Sequence, residues 1–83
     1  MTEFNNLAEL IADEEKGAVS VAIAGRIGEI KGRPDAPVRA RIYAAAQMIG
    51  GAELMAELEG HAAAAAQLRR LADRLDAAAA PMN

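Results

Sequence analysis

Residues 52–79 read AELMAELEGHAAAAAQLRRLADRLDAAA, and whether this run is one helix or two, divided at Gly60, decides the fold. Leu54, Leu58, His61, Ala65, Leu68, Ala72, Leu75 and Ala79 recur at alternating spacings of four and three, the seam of a helix laid along another. Small side chains at three of these eight positions let two backbones approach closely. The spacing predicts one helical region over 52–79 with Gly60 as its interior weak point. If Gly60 instead ends a short helix, the C-terminal helix starts at His61 and keeps only its own half of the seam. Pro81 cannot continue the hydrogen-bond ladder, which leaves residues 80–83 as a frayed tail.

Upstream, Val38, Ile42, Ala45 and Ile49 form the apolar face of a helix over 37–49, with Gly50 and Gly51 ending it. The clearest break runs from Lys31 to Pro37: Gly32 can end a helix, Pro34 blocks continuation, and Asp35 with Pro37 prepares a new start. Between Ala18 and Lys31, Val19, Val21 and Ile23 alternate like a strand, whereas Val19, Ile23, Ile27 and Ile30 recur at helical spacing. The longer register explains more residues, and no second strand is available for pairing, so 18–31 reads as helix. Gly25 and Gly28 weaken it by about 1 kcal/mol each against alanine, while removing bulk where another backbone can come close. A first helix over about 3–15 starts at Thr2 or Asn6; Asn6 with Glu9 has the form of a capping box and Phe4 that of a staple. Leu7, Leu10 and Ile11 continue its apolar face. Asp13, Glu14 and Glu15 then fall where a helix macrodipole disfavours acids, unless the helix runs on through Gly17 or the acids form a solvated turn. The expected fold is all-α: one domain, a small bundle of three to four helices with alanine-rich packing, assembled as a dimer.

Composition supplies the reason for the dimer. Of 83 residues, 22 are alanine, two are aromatic, and Leu, Ile, Val and Phe together number 17. Each such side chain contributes about 1.5–3 kcal/mol when fully buried, while ordering each residue's backbone costs about 1–2 kcal/mol. A chain this small commonly adds disulfides, a metal or a partner. Cysteine is absent and there is a single histidine, so association is the remaining route. The net charge of −3 and pI near 5.0 provide no overall attraction for nucleic acid or anionic lipid. Glu3 and Asn5 follow the first methionine without a basic region ahead of an apolar one, so no secretory leader is expected. The longest uncharged run, Ile42 to Ala52, is about half the roughly 20 residues that span a bilayer. A cytoplasmic protein without membrane contact is expected.

Few residues suggest chemistry. Glu57 and His61 are four apart, a spacing that can hold a metal ion from one helix face, but they supply only two ligands, and no second Glu-x-x-His pair completes a bundle site. The acids lack a nucleophile or a pocket to serve. Neither an enzyme nor a cofactor is expected. From Arg26 to Arg41 five cations face two acids, a local +3 on an acidic chain. With a helix before the turn and Pro37-Val-Arg-Ala-Arg-Ile opening the next, this segment has the outline of a helix-turn-helix. Lys31, Arg33, Arg39 and Arg41 are its candidate nucleic-acid contacts, although the turn exceeds the usual three or four residues. Arg69, Arg70 and Arg74 most simply rim the C-terminal helix, or else meet an acidic partner. The preferred function is a non-enzymatic protein–protein interaction module: a small adaptor, assembly factor or inhibitor presenting a helix face. Leu54, Leu58, Leu68, Leu71 and Leu75 supply burial, and Arg69, Arg70 and Arg74 set orientation. A dimeric DNA-binding regulator is the alternative.

Overall fold

A computed structural model describes residues 2–81, with side chains from Asn6 onward. The expectations for the Phe4 side chain and for Met82 and Asn83 lie outside that description. Three helices account for nearly all described residues, and no strand occurs among them: α1 Thr2–Ile30, α2 Ala36–Glu59 and α3 His61–Ala79. The segment with two possible periodicities, 18–31, is helical as its longer register indicates.

The boundaries differ from those expected at the glycines. Neither Gly17 nor the Gly50-Gly51 pair breaks a helix, so the four expected segments merge into two, and a break at Gly60 divides the second of these to give three helices. A helical glycine costs about 1 kcal/mol against alanine, whereas ending a helix and starting another leaves backbone groups without intrahelical partners at both new termini. Continuation is the less costly outcome. It also places Asp13, Glu14 and Glu15 on exposed positions inside α1, which removes the conflict with a C-terminal dipole. Because α1 begins at Thr2, Asn6 and Glu9 are interior and form no capping box. Gly25 and Gly28 were expected to admit a second backbone, but a Cβ added at either meets no atom within 4 Å.

The break after α1 follows its proline chemistry. Lys31 N–H still bonds to Ile27 C=O at 2.9 Å; Arg33 N–H then reaches Ile30 C=O at 2.9 Å, and Ala36 N–H reaches Arg33 C=O at 3.1 Å. Pro34 has no N–H for such a ladder, and Pro37 stands in the first turn of α2, where a missing donor costs nothing. The chain separates into two compact units, one ending at Ala40 and the other beginning at Arg41. In the first, Ile30 is 2 % exposed and is the one large side chain buried among the described residues.

In the second unit the decisive residue is Gly60. Its φ of +99° and ψ of 163° lie in a region that is essentially glycine-only. Its N–H bonds to Ala56 C=O at 2.8 Å, and its C=O accepts Ala64 N–H at 3.2 Å. One residue therefore closes α2 and opens α3. An added Cβ would meet nothing within 4 Å, so the requirement for glycine is conformational. At the other end, Ala80 is extended (φ −61°, ψ 139°), as the residue before Pro81 should be, and α3 stops at Ala79.

Candidate interaction site

Because the chain reverses at Gly60, α3 lies beside the C-terminal half of α2. Ala64, 7 % exposed, is the buried point of this contact, and Ala52, Met55, Ala56 and Ala65 around it are half-buried. A groove runs along each side of the contact, and Ala52, Ala64 and Leu68 line both. They form the common floor.

The seam is divided as expected for a helix that ends at Gly60, with α3 starting at His61. A continuous helix would carry Leu54 and Leu58 in phase with Leu68, but the reversal at Gly60 makes the phases of α2 and α3 independent. The face of α2 toward α3 is Met48, Ala52, Met55 and Ala56; Leu54 and Leu58 are exposed, Leu58 at 72 %. Val38, Ile42 and Ile49, expected as a core face, are exposed as well. On α3 the contact follows Ala64, Leu68 and Leu71, while Ala72, Leu75 and Ala79 are exposed. Of the predicted leucines, Leu68 and Leu71 are brought together in a groove, and Leu54 lines a separate hollow on α2 with Tyr43 and Gln47. The helical spacing of Met48, Ala52, Met55 and Ala56 marks this face in the sequence, where the bulkier leucines at 54 and 58 mask it.

The two grooves differ in charge and texture. On one side Glu53, Glu57 and His61 edge a trough of about 590 Å³ whose remaining lining is alanine and Leu68. Glu57 and His61 thus share a groove, but from two helices rather than one helix face. Among the described residues no group of three or more metal-ligating side chains is assembled. On the other side Met48, Met55 and Leu71 stand beside a groove of about 300 Å³, with Gln47, Gln67 and Arg74 at its edge. Arg70 donates from Nε to Gln67 Oε1 at 3.2 Å. Arg69 forms no ion pair or side-chain hydrogen bond among the described residues.

The candidate nucleic-acid residues are divided. Lys31 and Arg33 lie in the turn between α1 and α2, and Arg41 lies exposed on α2. Arg39 is engaged: its Nε and Nη2 donate to Asp35 Oδ2 at 3.1 and 2.7 Å. The i, i+4 spacing permits this pair, and it takes Arg39 out of the set of unengaged candidate cations. The hydrogen bond from Arg39 lowers the Asp35 pKa, and the same bond raises that of Arg39. The folded chain therefore favours charged Asp35 more than the unfolded chain does. The pair's small, salt-screened contribution is complete above the ordinary carboxylate range and is lost as pH falls through the depressed pKa. We expect Cα chemical shifts of residues 36–40 to move toward coil on acidification. In Asp35→Asn, whose amide does not ionise, this movement should be absent; an identical pH profile would show that the pair does not order the start of α2.

No protein-family model, curated protein or solved structure matches this chain. Among the described residues, no helix is long and apolar enough to cross a membrane.

Proposed function

We propose that this chain is a non-enzymatic protein–protein interaction module that works by having its apolar helix faces covered. One observation carries the reading: sixteen large apolar side chains are exposed on the described helices, while among the described residues Ile30 in one unit and Ala64 in the other are the buried apolar side chains. Scattered exposed aliphatics are ordinary; it is their number beside so little buried apolar surface that points to a covering partner. The residues proposed to provide burial are Leu68 and Leu71 in the grooves, with Leu54, Leu58 and Leu75 outside them; Arg69, Arg70 and Arg74 orient the partner. An adaptor, assembly factor or inhibitor, self-associated or bound to another protein, fits this description.

Leu68 is 44 % exposed and lines both grooves, so Leu68→Asp places a charge where a partner would bury the leucine. The expected result is a lower assembly mass by light scattering, or loss of proteins retained from a native extract, with helicity kept. A folded Leu68→Asp protein indistinguishable from wild type in both measurements would sink the reading. A DNA-binding regulator would instead rely on Lys31, Arg33 and Arg41, since Arg39 is held by Asp35. Such binding weakens steeply with salt, and unchanged mobility with duplex DNA at low salt excludes it.

A further inference from the structure

We propose that the α2–α3 hairpin associates head-to-tail with a second copy of itself, the acidic groove of one copy receiving the Arg74 side of the next. The proposal rests on the interaction reading above and names its partner.

Two independent features of the hairpin point to a second copy. The first is charge. Glu53 and Glu57 edge one groove, whereas Arg74 is the only charged residue lining the other. Neither glutamate forms an ion pair among the described residues, and Arg74 forms none either. The grooves share a floor and lie on opposite sides of the contact, so each chain carries both halves of one complementary pair. The second feature is relief. The acidic trough is lined mainly by alanines and is the larger, about 590 Å³. The opposite side presents Met48, Met55 and Leu71, long side chains able to fill irregular space. Both sides are concave, but Met48 and Leu71, 57 % and 38 % exposed, are long enough to reach across a contact into the larger trough of a second copy.

Complementarity between opposite faces defines a heterologous contact. A face-to-face dimer would set Glu53 and Glu57 against their own copies, or Arg74 against Arg74, and like charges across an interface cost several kcal/mol. Head-to-tail stacking avoids both. It yields closed rings or open strings rather than stopping at two, and it gives Leu68, on the floor of both grooves, a role at each contact.

The test is a charge exchange in the full chain, read as mass against concentration by sedimentation velocity. The variant Glu53→Lys with Glu57→Lys leaves two basic grooves; Arg74→Glu leaves two acidic ones. Each alone should associate at least about tenfold more weakly than wild type, which corresponds to about 1.4 kcal/mol. An equimolar mixture restores opposite charges at every contact and should recover association. Circular dichroism of each variant checks folding, and recovery in the mixture is a second check, since misfolded chains would not regain it. Wild-type association untouched by Arg74→Glu, or folded variants whose mixture recovers nothing, would overturn the head-to-tail contact. So would a wild type that stays monomeric to about 1 mM, the range of weak association near −4 kcal/mol. In that last case, loss of a captured protein on Leu68→Asp would leave the broader interaction reading standing.

Discussion

Gly60→Ala should convert the α2–α3 hairpin into one continuous helix from Ala36 to Ala79. Alanine at φ +99° and ψ 163° carries about 1–3 kcal/mol of backbone strain. In a continuous helix, alanine is instead favoured over glycine by about 1 kcal/mol. Both terms push the same way. They are opposed by a contact whose buried residue is Ala64, 7 % exposed, and burial of one methyl-sized group contributes only about 0.8 kcal/mol. Half-buried neighbours add to this, but Leu68 at the same contact remains 44 % exposed. The balance favours the straight form. The chain has no cysteine, so Gln47→Cys with Arg74→Cys gives two unique labels. They line one groove in the hairpin and would stand about 40 Å apart along a straight helix, from a rise of about 1.5 Å per residue. Spin-label distances that stay short in Gly60→Ala would mean that the contact outweighs the backbone preference.

Ile30→Ala is the second large effect. Removing a fully buried isoleucine typically costs about 2–5 kcal/mol, through lost transfer energy and the cavity left behind. Ile30 is 2 % exposed, while Ile27, one turn earlier, is 38 % exposed. The same truncation at Ile27 should therefore cost distinctly less. In a chain with so few buried side chains, a loss of this size removes much of the stability that natural domains possess, about 5–15 kcal/mol. Denaturant titration of both variants provides the comparison. Equal losses at Ile27 and Ile30 would show that the burial of Ile30 is not what holds the end of α1.

The helical class was legible because alanine content, the Val19 to Ile30 register and the prolines all act locally. Pro34 and Pro37 set the first boundary, and Pro81 the last, through chemistry that depends on neighbouring residues alone. Glycine was less legible. Gly17, Gly50 and Gly51 remain helical, whereas Gly60 adopts a conformation outside the helix, and all are the same residue in alanine- and glutamate-rich surroundings. What separates them is whether the flanking segments gain more by continuing or by folding back, which is a tertiary quantity. The site inherited that ambiguity. Once Gly60 resets the helical phase, the apparent seam through Leu54 and Leu58 has no physical continuity, and the contact passes to Met48, Ala52, Met55 and Ala64. Arg39 illustrates a different point: a net charge includes both Arg39 and Asp35, but it does not show that the two are hydrogen-bonded to each other.

Thermal unfolding followed by circular dichroism over about a 100-fold range of protein concentration tests most directly whether association supplies the missing burial, because binding between folded chains raises the midpoint by mass action. We expect a broad transition in dilute solution that sharpens and moves to higher temperature as concentration rises. A steep transition at one temperature across the whole range, within the ~45–65 °C typical of self-sufficient domains, would contradict a chain that depends on covering its exposed helix faces.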